Sequence, residues 1–296
     1  MLLSFECPTK IQKDLSVPRL IRIFALNINI MFKFICLGSG SSGNCYLLFS
    51  ENYGILIDAG IGIRILKKHL RTFGMGLDRI KAVLITHDHA DHIKAAGYLS
   101  KDYNVPIYAT HEVHQGIDRN YCVTTKIQGP NRVEIQKNVP FQIEDLEIMA
   151  FDVPHDSSDN VGYSVSFEGK TFCLITDAGA PTLEMEEQIK NADYLVLESN
   201  HDTDMLMMGP YPAHLKGRIS GGRGHLSNRQ AAELLARSVS EKMKQVWLCH
   251  LSEENNHPEL AKKTMDSVLR SYGMIMNKDF HVDVLRRKIP SEIHDL

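Results

Sequence analysis

The chain repeats one pattern five times: a short apolar run that ends in polar or charged residues. The five runs lie at residues 54–58, 82–87, 172–177, 194–198 and 246–250. Continuous apolar runs between polar turns are typical of strands buried on both faces. Helical patterns lie between them, at residues 61–70, 92–100, 228–238 and 258–271. We therefore predict an α/β fold in which helices cover sheets, with the functional residues at the strand ends.

The composition is that of an ordinary globular protein. Of the 296 residues, 43 % are hydrophobic and 23 % are charged, which excludes a disordered, collagenous or membrane-spanning chain. With a net charge of −3, nucleic acid would be held by a local basic patch rather than by the whole surface. The six cysteines include no C-x-x-C pair, which predicts core residues in a reducing compartment, by default the cytoplasm.

The first thirty residues are set apart from the rest of the chain. The apolar stretch at residues 20–30 is interrupted by Arg22, Asn27 and Asn29, and no small-residue cleavage site follows it. It is too short and too polar for a membrane span, and it lacks the layout of a signal peptide. Met31 then opens a segment typical of a first strand. We expect residues 1–30 to be a non-native or loosely ordered N-terminal extension, residues 31–296 to form one domain, and no membrane partner.

A glycine-rich turn follows that first predicted strand. Residues 38–43, Gly-Ser-Gly-Ser-Ser-Gly, match the G-x-G-x-x-G spacing of dinucleotide-binding loops. That function needs a helix to begin at the turn, so that its N-terminus meets the pyrophosphate. A strand-like stretch, residues 45–49, follows instead. The glycines therefore predict a tight turn between two strands whose backbone approaches the site closely.

The strongest chemical signal is a cluster of metal-ligating side chains directly after the second apolar run. Residues 86–92 read Thr-His-Asp-His-Ala-Asp-His. In an extended segment His87 and His89 project to the same side. Asp91 and His92, in the first turn of a following helix, can point back to the same place. Three imidazoles and a carboxylate suit one or two divalent ions, and three further candidate ligands stand at later strand ends: His155, Asp177 and His250.

In this pattern the chain resembles the metallo-β-lactamase superfamily, from Met31 to the C-terminus. The resemblance implies a four-layer αββα sandwich with a two-metal site in the cleft between its sheets. Carried over by position, the ligands of the first metal are His87, His89 and His155. Those of the second metal are Asp91, His92 and His250. The resemblance further implies that Asp177 bridges both metals and that Asp58 orients a ligand without touching metal.

Four segments narrow the resemblance to the YycJ (WalJ) family, regarded as bacterial exonucleases or phosphodiesterases related to ribonuclease Z. The segments are residues 38–44, 198–202, 224–228 and 250–256. In ribonuclease Z a Glu after one strand and a His before a helix lie beside the metals, and Glu198 and His225 occupy those positions here. This chain has Glu-Ser-Asn-His where ribonuclease Z has His-Glu-Ala-Thr, and it has no obvious tRNA-gripping arm. Both departures count against tRNA maturation.

The resemblance implies a two-metal hydrolase and favours a phosphodiesterase or exonuclease that acts on nucleic acid through a metal-bridging hydroxide. Zinc lowers the pKa of bound water from ~16 to about 7, and manganese or iron suits the same donors. We expect His225, kept cationic by Glu198, to protonate the leaving oxygen. The residues expected to be catalytic are Asp91, Asp177, His225 and Glu198.

The glycine- and proline-rich stretch at residues 202–224 predicts a long irregular loop. It carries Lys216, Arg218 and Arg223, which suit an anionic substrate, although a solvated surface loop has the same composition. Asn44 and His201 are further candidate substrate contacts.

Other hydrolases use the same kind of ligands. A thioesterase or lactonase of the glyoxalase II type, or a β-lactamase, would need the same metals, so the ligands alone do not decide between them. The basic residues and the Glu198/His225 pair favour phosphodiesters. A non-catalytic metal-binding regulatory protein is a further alternative, against which the complete ligand set argues.

Overall fold

The computed structural model describes residues 31–296, so the predicted N-terminal extension lies outside the described residues. Within residues 31–296 the strands form two sheets of seven strands each. The first sheet contains β1 (Lys33–Gly38), β2 (Cys45–Phe49), β3 (Gly54–Ile57), β4 (Ile80–Leu84), β5 (Ile107–Ala109) and β6 (Arg132–Glu134), with β14 (His294–Asp295) at its edge beside β1. The second sheet contains, in spatial order, β7 (Phe141–Ile143), β8 (Leu146–Asp152), β9 (Val161–Phe167), β10 (Lys170–Ile175), β11 (Tyr194–Glu198), β12 (Gln245–Cys249) and β13 (His281–Val284).

Both sheets are antiparallel at one side and parallel at the other. In the first sheet, β14 to β3 pair antiparallel and β3 to β6 pair parallel. In the second sheet, β7 to β10 pair antiparallel and β10 to β13 pair parallel. The carboxyl ends of parallel strands meet at one edge of a sheet, which is where a site forms.

Helices cover each sheet. Those of the first half are α1 (Ile63–Thr72), α2 (Ala90–Ile93), α3 (Ala96–Tyr103) and α4 (His111–Arg119). Those of the second half are α5 (Leu183–Asn191), α6 (Thr203–Met208), α7 (Ala213–Ser220), α8 (Asn228–Ser238) and α9 (Pro258–Ser271). Buried side chains of α1, α3 and α4 pack on the first sheet, and those of α5, α8 and α9 pack on the second.

Aromatic side chains join the two sheets to each other. Phe34 of β1 lies 5.1 Å from the ring of Phe172 in β10 and 4.7 Å from that of Trp247 in β12. All three side chains are buried. Because each sheet has helices on one face and the other sheet on its opposite face, the predicted four-layer αββα sandwich is confirmed.

Most predicted elements are present, and the differences have physical causes. The helices at residues 228–238 and 258–271 match α8 and α9, while residues 92–100 are divided between the short helices α2 and α3. The prediction of an irregular loop at residues 202–224 is wrong, because α6 and α7 lie there. Asp202 caps α6 by accepting from the N–H groups of Asp204 and Met205, and α7 has no buried residue, so no apolar periodicity marks it in the sequence.

The glycine-rich turn joins the antiparallel strands β1 and β2, as predicted. Because no helix begins at the turn, it is not a dinucleotide-binding loop.

Gly60 shows how close the backbone comes to the predicted metal ligands. A Cβ on Gly60 would stand 1.5 Å from the carbonyl oxygen of Asp91, so no side chain fits there. Among the described residues, no helix has the length and apolar character needed to cross a membrane.

Candidate metal centre

The candidate ligands follow the ends of strands in both sheets. His87 and His89 follow β4, His155 follows β8, Asp177 follows β10 and His250 follows β12. Residues far apart in the sequence therefore converge on one place between the two sheets. Ligand atoms of His87, His89, His155 and Asp177 all lie within 4.8 Å of one another, and so do those of Asp91, His92 and His250.

Asp177 lies between these two groups. Its Oδ2 is 3.8 Å from Nε2 of His87 and 3.6 Å from Nε2 of His155. Its Oδ1 is 3.4 Å from Nε2 of His92 and 3.4 Å from Nδ1 of His250. One carboxylate thus presents one oxygen to each group, which is the arrangement a ligand shared by two ions requires.

Two buried nitrogens fit metal coordination. Nε2 of His87 and Nε2 of His250 have no hydrogen-bond partner among the described residues. A buried polar atom without a partner costs about 1–3 kcal/mol, so these atoms call for a ligand. Imidazole and carboxylate donors of this kind suit divalent ions such as Zn²⁺ or Mn²⁺. The residues therefore fit the metals that the sequence predicted.

The outer nitrogens of the histidines are held by hydrogen bonds. Nδ1 of His92 lies 2.7 Å from Oδ2 of Asp58, and Asp58 also accepts from the backbone N–H of Thr86 at 2.9 Å. Nδ1 of His155 donates to the carbonyl of Gly224 at 2.8 Å. Such bonds fix the ring orientation and turn the other ring nitrogen, Nε2, toward the centre.

Three residues of the centre have left-handed backbone conformations. The φ angles are 60° at Asp58, 49° at Asp177 and 53° at His250. Non-glycine residues rarely adopt such angles, and those that do cluster at functional sites. Asp58 and His250 directly follow the last residue of a strand, and Asp177 is the second residue after β10. The left-handed conformation therefore turns the chain at the strand end.

Glu198, at the end of β11, is fully buried and connects two histidines. Its Oε1 accepts from Nδ1 of His225 at 2.8 Å and from Nδ1 of His250 at 2.9 Å. Its Oε2 accepts from the backbone N–H groups of Ala178 and Leu226. Burial raises the pKa of the Glu198 carboxyl, but the charge of His225 and the hydrogen bonds from His225 and His250 together outweigh burial and lower that pKa to about 2. Burial lowers the pKa of His225, and the Glu198 carboxylate reverses this and raises it.

The structure places two of the three predicted basic residues beside the centre. Nε of Arg223 donates to the carbonyl of His155 at 3.1 Å. Arg218 of α7 pairs with Asp156 at 2.5 Å. Lys216 instead donates to the carbonyl of Met207 at 2.7 Å.

The two remaining candidate substrate contacts are buried. Nδ2 of Asn44 lies 3.3 Å from Oδ2 of Asp91 and 2.9 Å from Nε2 of His92, so it touches the centre itself. His201 is only 1 % exposed, and its contact with substrate stays a prediction.

Sequence reasoning missed Asp156. Its Oδ1 is buried without a hydrogen-bond partner among the described residues and lies 3.4 Å from Nε2 of His155. The one signal in the sequence is its position directly after His155, which does not distinguish it from an exposed acid.

Comparison with known proteins places this arrangement in a family. A model of the β-lactamase superfamily domain matches residues 53–250, about two thirds of the chain. The chain belongs to the metallo-β-lactamase superfamily. It is 31 % identical over 260 residues to Exodeoxyribonuclease YycJ of Bacillus anthracis. That alignment covers 88 % of this chain and 97 % of YycJ. It is 34 % identical over 253 residues to Exodeoxyribonuclease WalJ of Streptococcus pneumoniae. That alignment covers 86 % of this chain and 94 % of WalJ.

A solved structure shares the metallo-β-lactamase fold. YhfI from Bacillus subtilis, described as a metallo-β-lactamase fold protein, has a TM-score of 0.65 to this chain at 20 % identity. The match covers 90 % of this chain and 99 % of YhfI. The predicted fold and the predicted resemblance to the YycJ (WalJ) family are therefore both confirmed.

Proposed function

We propose that this protein is a two-metal-dependent phosphodiesterase that acts on nucleic acid as an exonuclease. The observation that carries the proposal is the buried Glu198, which joins His225 to the metal-ligand cluster through one oxygen. The two relatives named exodeoxyribonuclease support the proposal, because this chain spans nearly their whole length.

The proposed ligands follow the two groups in the structure. His87, His89 and His155 would hold the first ion. Asp91, His92 and His250 would hold the second, and Asp177 would contact both. Zinc or manganese is proposed for both positions, and iron suits the same donors. When bound, two such ions activate water and neutralise charge on the phosphate.

His225 is proposed as the general acid. Its Nδ1 donates to Glu198, which leaves Nε2 as the atom that can give a proton to the leaving oxygen. Because the Glu198 carboxylate raises the pKa of His225, it favours the protonated imidazole, which carries the proton that the reaction needs. Its side chain is 20 % exposed, so the substrate can reach it.

Arg218 and Arg223 are proposed to bind the phosphate backbone beside the centre. Arg218 is 60 % exposed at its side chain, so its guanidinium can exchange Asp156 for a phosphate, a geometry that Arg suits well. We propose that residues 31–296 form one domain and that the protein acts in the cytoplasm. The cysteines that the structure describes are all free.

The test is digestion of end-labelled DNA and RNA oligonucleotides, single-stranded and duplex, with zinc or manganese supplied. Ladders or mononucleotides from the parent protein, absent from an Asp177→Asn variant made in parallel, would support the proposal and give the polarity. If metal-loaded protein cleaves no oligonucleotide but hydrolyses a thioester or a lactone, the nuclease proposal is wrong.

A further inference from the structure

The end of the chain crosses from the second sheet to the first. Leu285 donates its N–H to the carbonyl of Leu248 in β12 at 2.9 Å, and Ser291 donates its N–H to that of Cys36 in β1 at 2.8 Å. We call residues 285–290, between these two anchors, the strap. The strap carries three consecutive cations, Arg286, Arg287 and Lys288.

Arg287 joins the strap to loops of the metal centre. Its carbonyl accepts from the N–H of Ser39 at 3.1 Å, and its Nη1 donates to the carbonyl of Ser252 at 3.0 Å. Its aliphatic stem lies on Gly40, where a Cβ would stand 3.3 Å from Cγ of Arg287. Ser252 lies two residues after the proposed ligand His250, so the strap is packed against the backbone that holds the centre.

A cavity of about 390 Å³ lies between the strap and residues 251–258. That volume is within the range of roughly 300–1,000 Å³ typical of small-molecule sites. Apolar side chains line part of it, among them Leu251, Leu285 and Ile289. The three strap cations line the rest together with one carboxylate, Glu253. The cavity therefore combines an apolar wall with an excess of positive charge, and Leu251 directly follows His250.

The cations are available to an incoming anion. Arg286 forms no ion pair with any residue that the structure describes. Lys288 pairs with Glu253 at 3.2 Å, but both side chains are more than half exposed, and such exposed pairs contribute little stability. A phosphate can therefore displace Glu253 from Lys288.

We propose that this cavity binds a nucleotide of the substrate strand neighbouring the one at the metal centre. The apolar wall would hold the base, and the strap cations would hold its phosphate, the combination by which proteins grip single strands without reading sequence. This inference rests on the proposed nuclease function and adds a binding subsite to it. DNA and RNA share the phosphate and base chemistry, so both strands are included in the test.

The test compares the metal-loaded parent protein with an Arg286→Ala/Lys288→Ala variant, leaving Arg287 intact because it bonds Ser252. The substrates are single-stranded DNA and RNA oligonucleotides and bis(p-nitrophenyl) phosphate, which has no neighbouring nucleotide. The matched control is Arg270→Ala, an exposed cation on α9 paired with Asp266. We expect the oligonucleotide KM to rise about tenfold in the double variant, with a much smaller change in kcat.

Salt dependence gives a second readout. Each lost phosphate contact on a single strand lowers the slope of log affinity against log salt by about 0.7. The double variant removes two such contacts, so its negative slope of log(kcat/KM) against log salt should become shallower by about 1.4 for the strand that uses the subsite. Parent-like KM and slope in the double variant would overturn the inference, and so would equal losses on oligonucleotides and on bis(p-nitrophenyl) phosphate. Failure of the parent protein to cleave any oligonucleotide would instead contradict the proposed function.

Discussion

The side chains of His225 and His250 share one carboxylate oxygen. Oε1 of Glu198 lies 2.8 Å from Nδ1 of His225 and 2.9 Å from Nδ1 of His250. His250 is one of the proposed ligands of the second ion, and His225, whose side chain is 20 % exposed, is the proposed general acid. The charge of Glu198 thus acts on a ligand and on the proposed general acid together, so a change at this one residue should alter both metal affinity and proton transfer.

Glu198→Gln should weaken both functions while it keeps the size of the side chain. The amide oxygen still accepts from one histidine, but without the charge it no longer holds His225 as a cation. We expect kcat on an oligonucleotide to fall about 10²-fold, within the range for general acid catalysis, and metal affinity to fall about 10–100-fold. Steady-state kinetics and metal titration measure the two effects. Glu259→Gln, an exposed acid in the first turn of α9, should match the parent protein in both.

Metal removal should lower thermal stability. Ions that bind only the folded state stabilise it by about 2.7 kcal/mol at a concentration 100 times Kd, and about 1 kcal/mol shifts Tm by roughly 2–4 °C in a domain of this size. We therefore expect each bound zinc or manganese ion to raise Tm of the metal-free protein by about 5–10 °C in a calorimetric scan. Asp177→Asn, which loses the carboxylate between the two groups, should show a much smaller rise. A Tm that does not respond to either metal would count against the whole ligand assignment.

The stability of the fold should also depend on pH through His114, away from the metal centre. Nε2 of His114 donates to the carbonyl of Val133 at 3.0 Å, and its buried Nδ1 has no partner among the described residues. Burial lowers the pKa of His114 below its ordinary value, so the unfolded chain binds the proton more readily than the folded chain. Stability is then lost as pH falls below about 6.5, the unfolded value, by about 1.4 kcal/mol for each unit of pKa difference.

The check on His114 is urea unfolding of metal-loaded protein between pH 7.5 and 5. His114→Gln keeps a donor near the position of Nε2 and removes the titration, so its stability should fall less steeply over this range. The same slope in both proteins would show that His114 makes no contribution.

The sequence was most informative where the chemistry is local. His87, His89, Asp91 and His92 lie within six residues, so one strand end and one helical turn already bring them together. The strand ends at Asp177, Glu198 and His250 could be predicted because continuous apolar runs mark buried strands. The family resemblance then gave each of these residues its expected role.

Other features depend on contacts that the sequence does not encode locally. Helix α7 buries no residue, so nothing periodic marked it. The bond from Arg287 to Ser252 joins residues 35 positions apart, and the approach of Asp156 to the histidines depends on the turn after β8. Such features follow from the tertiary structure alone.

The most direct test of the account is the effect of His225→Ala on two substrates that differ in their leaving group. Cleavage of an oligonucleotide releases a sugar oxygen as an alkoxide, which needs a proton. Cleavage of bis(p-nitrophenyl) phosphate releases p-nitrophenolate, which is stable without one. If His225 is the general acid, kcat on the oligonucleotide should fall by about 10²–10⁴-fold and kcat on the p-nitrophenyl ester should fall far less. Equal losses on both substrates, or full turnover of the oligonucleotide by the variant, would contradict it.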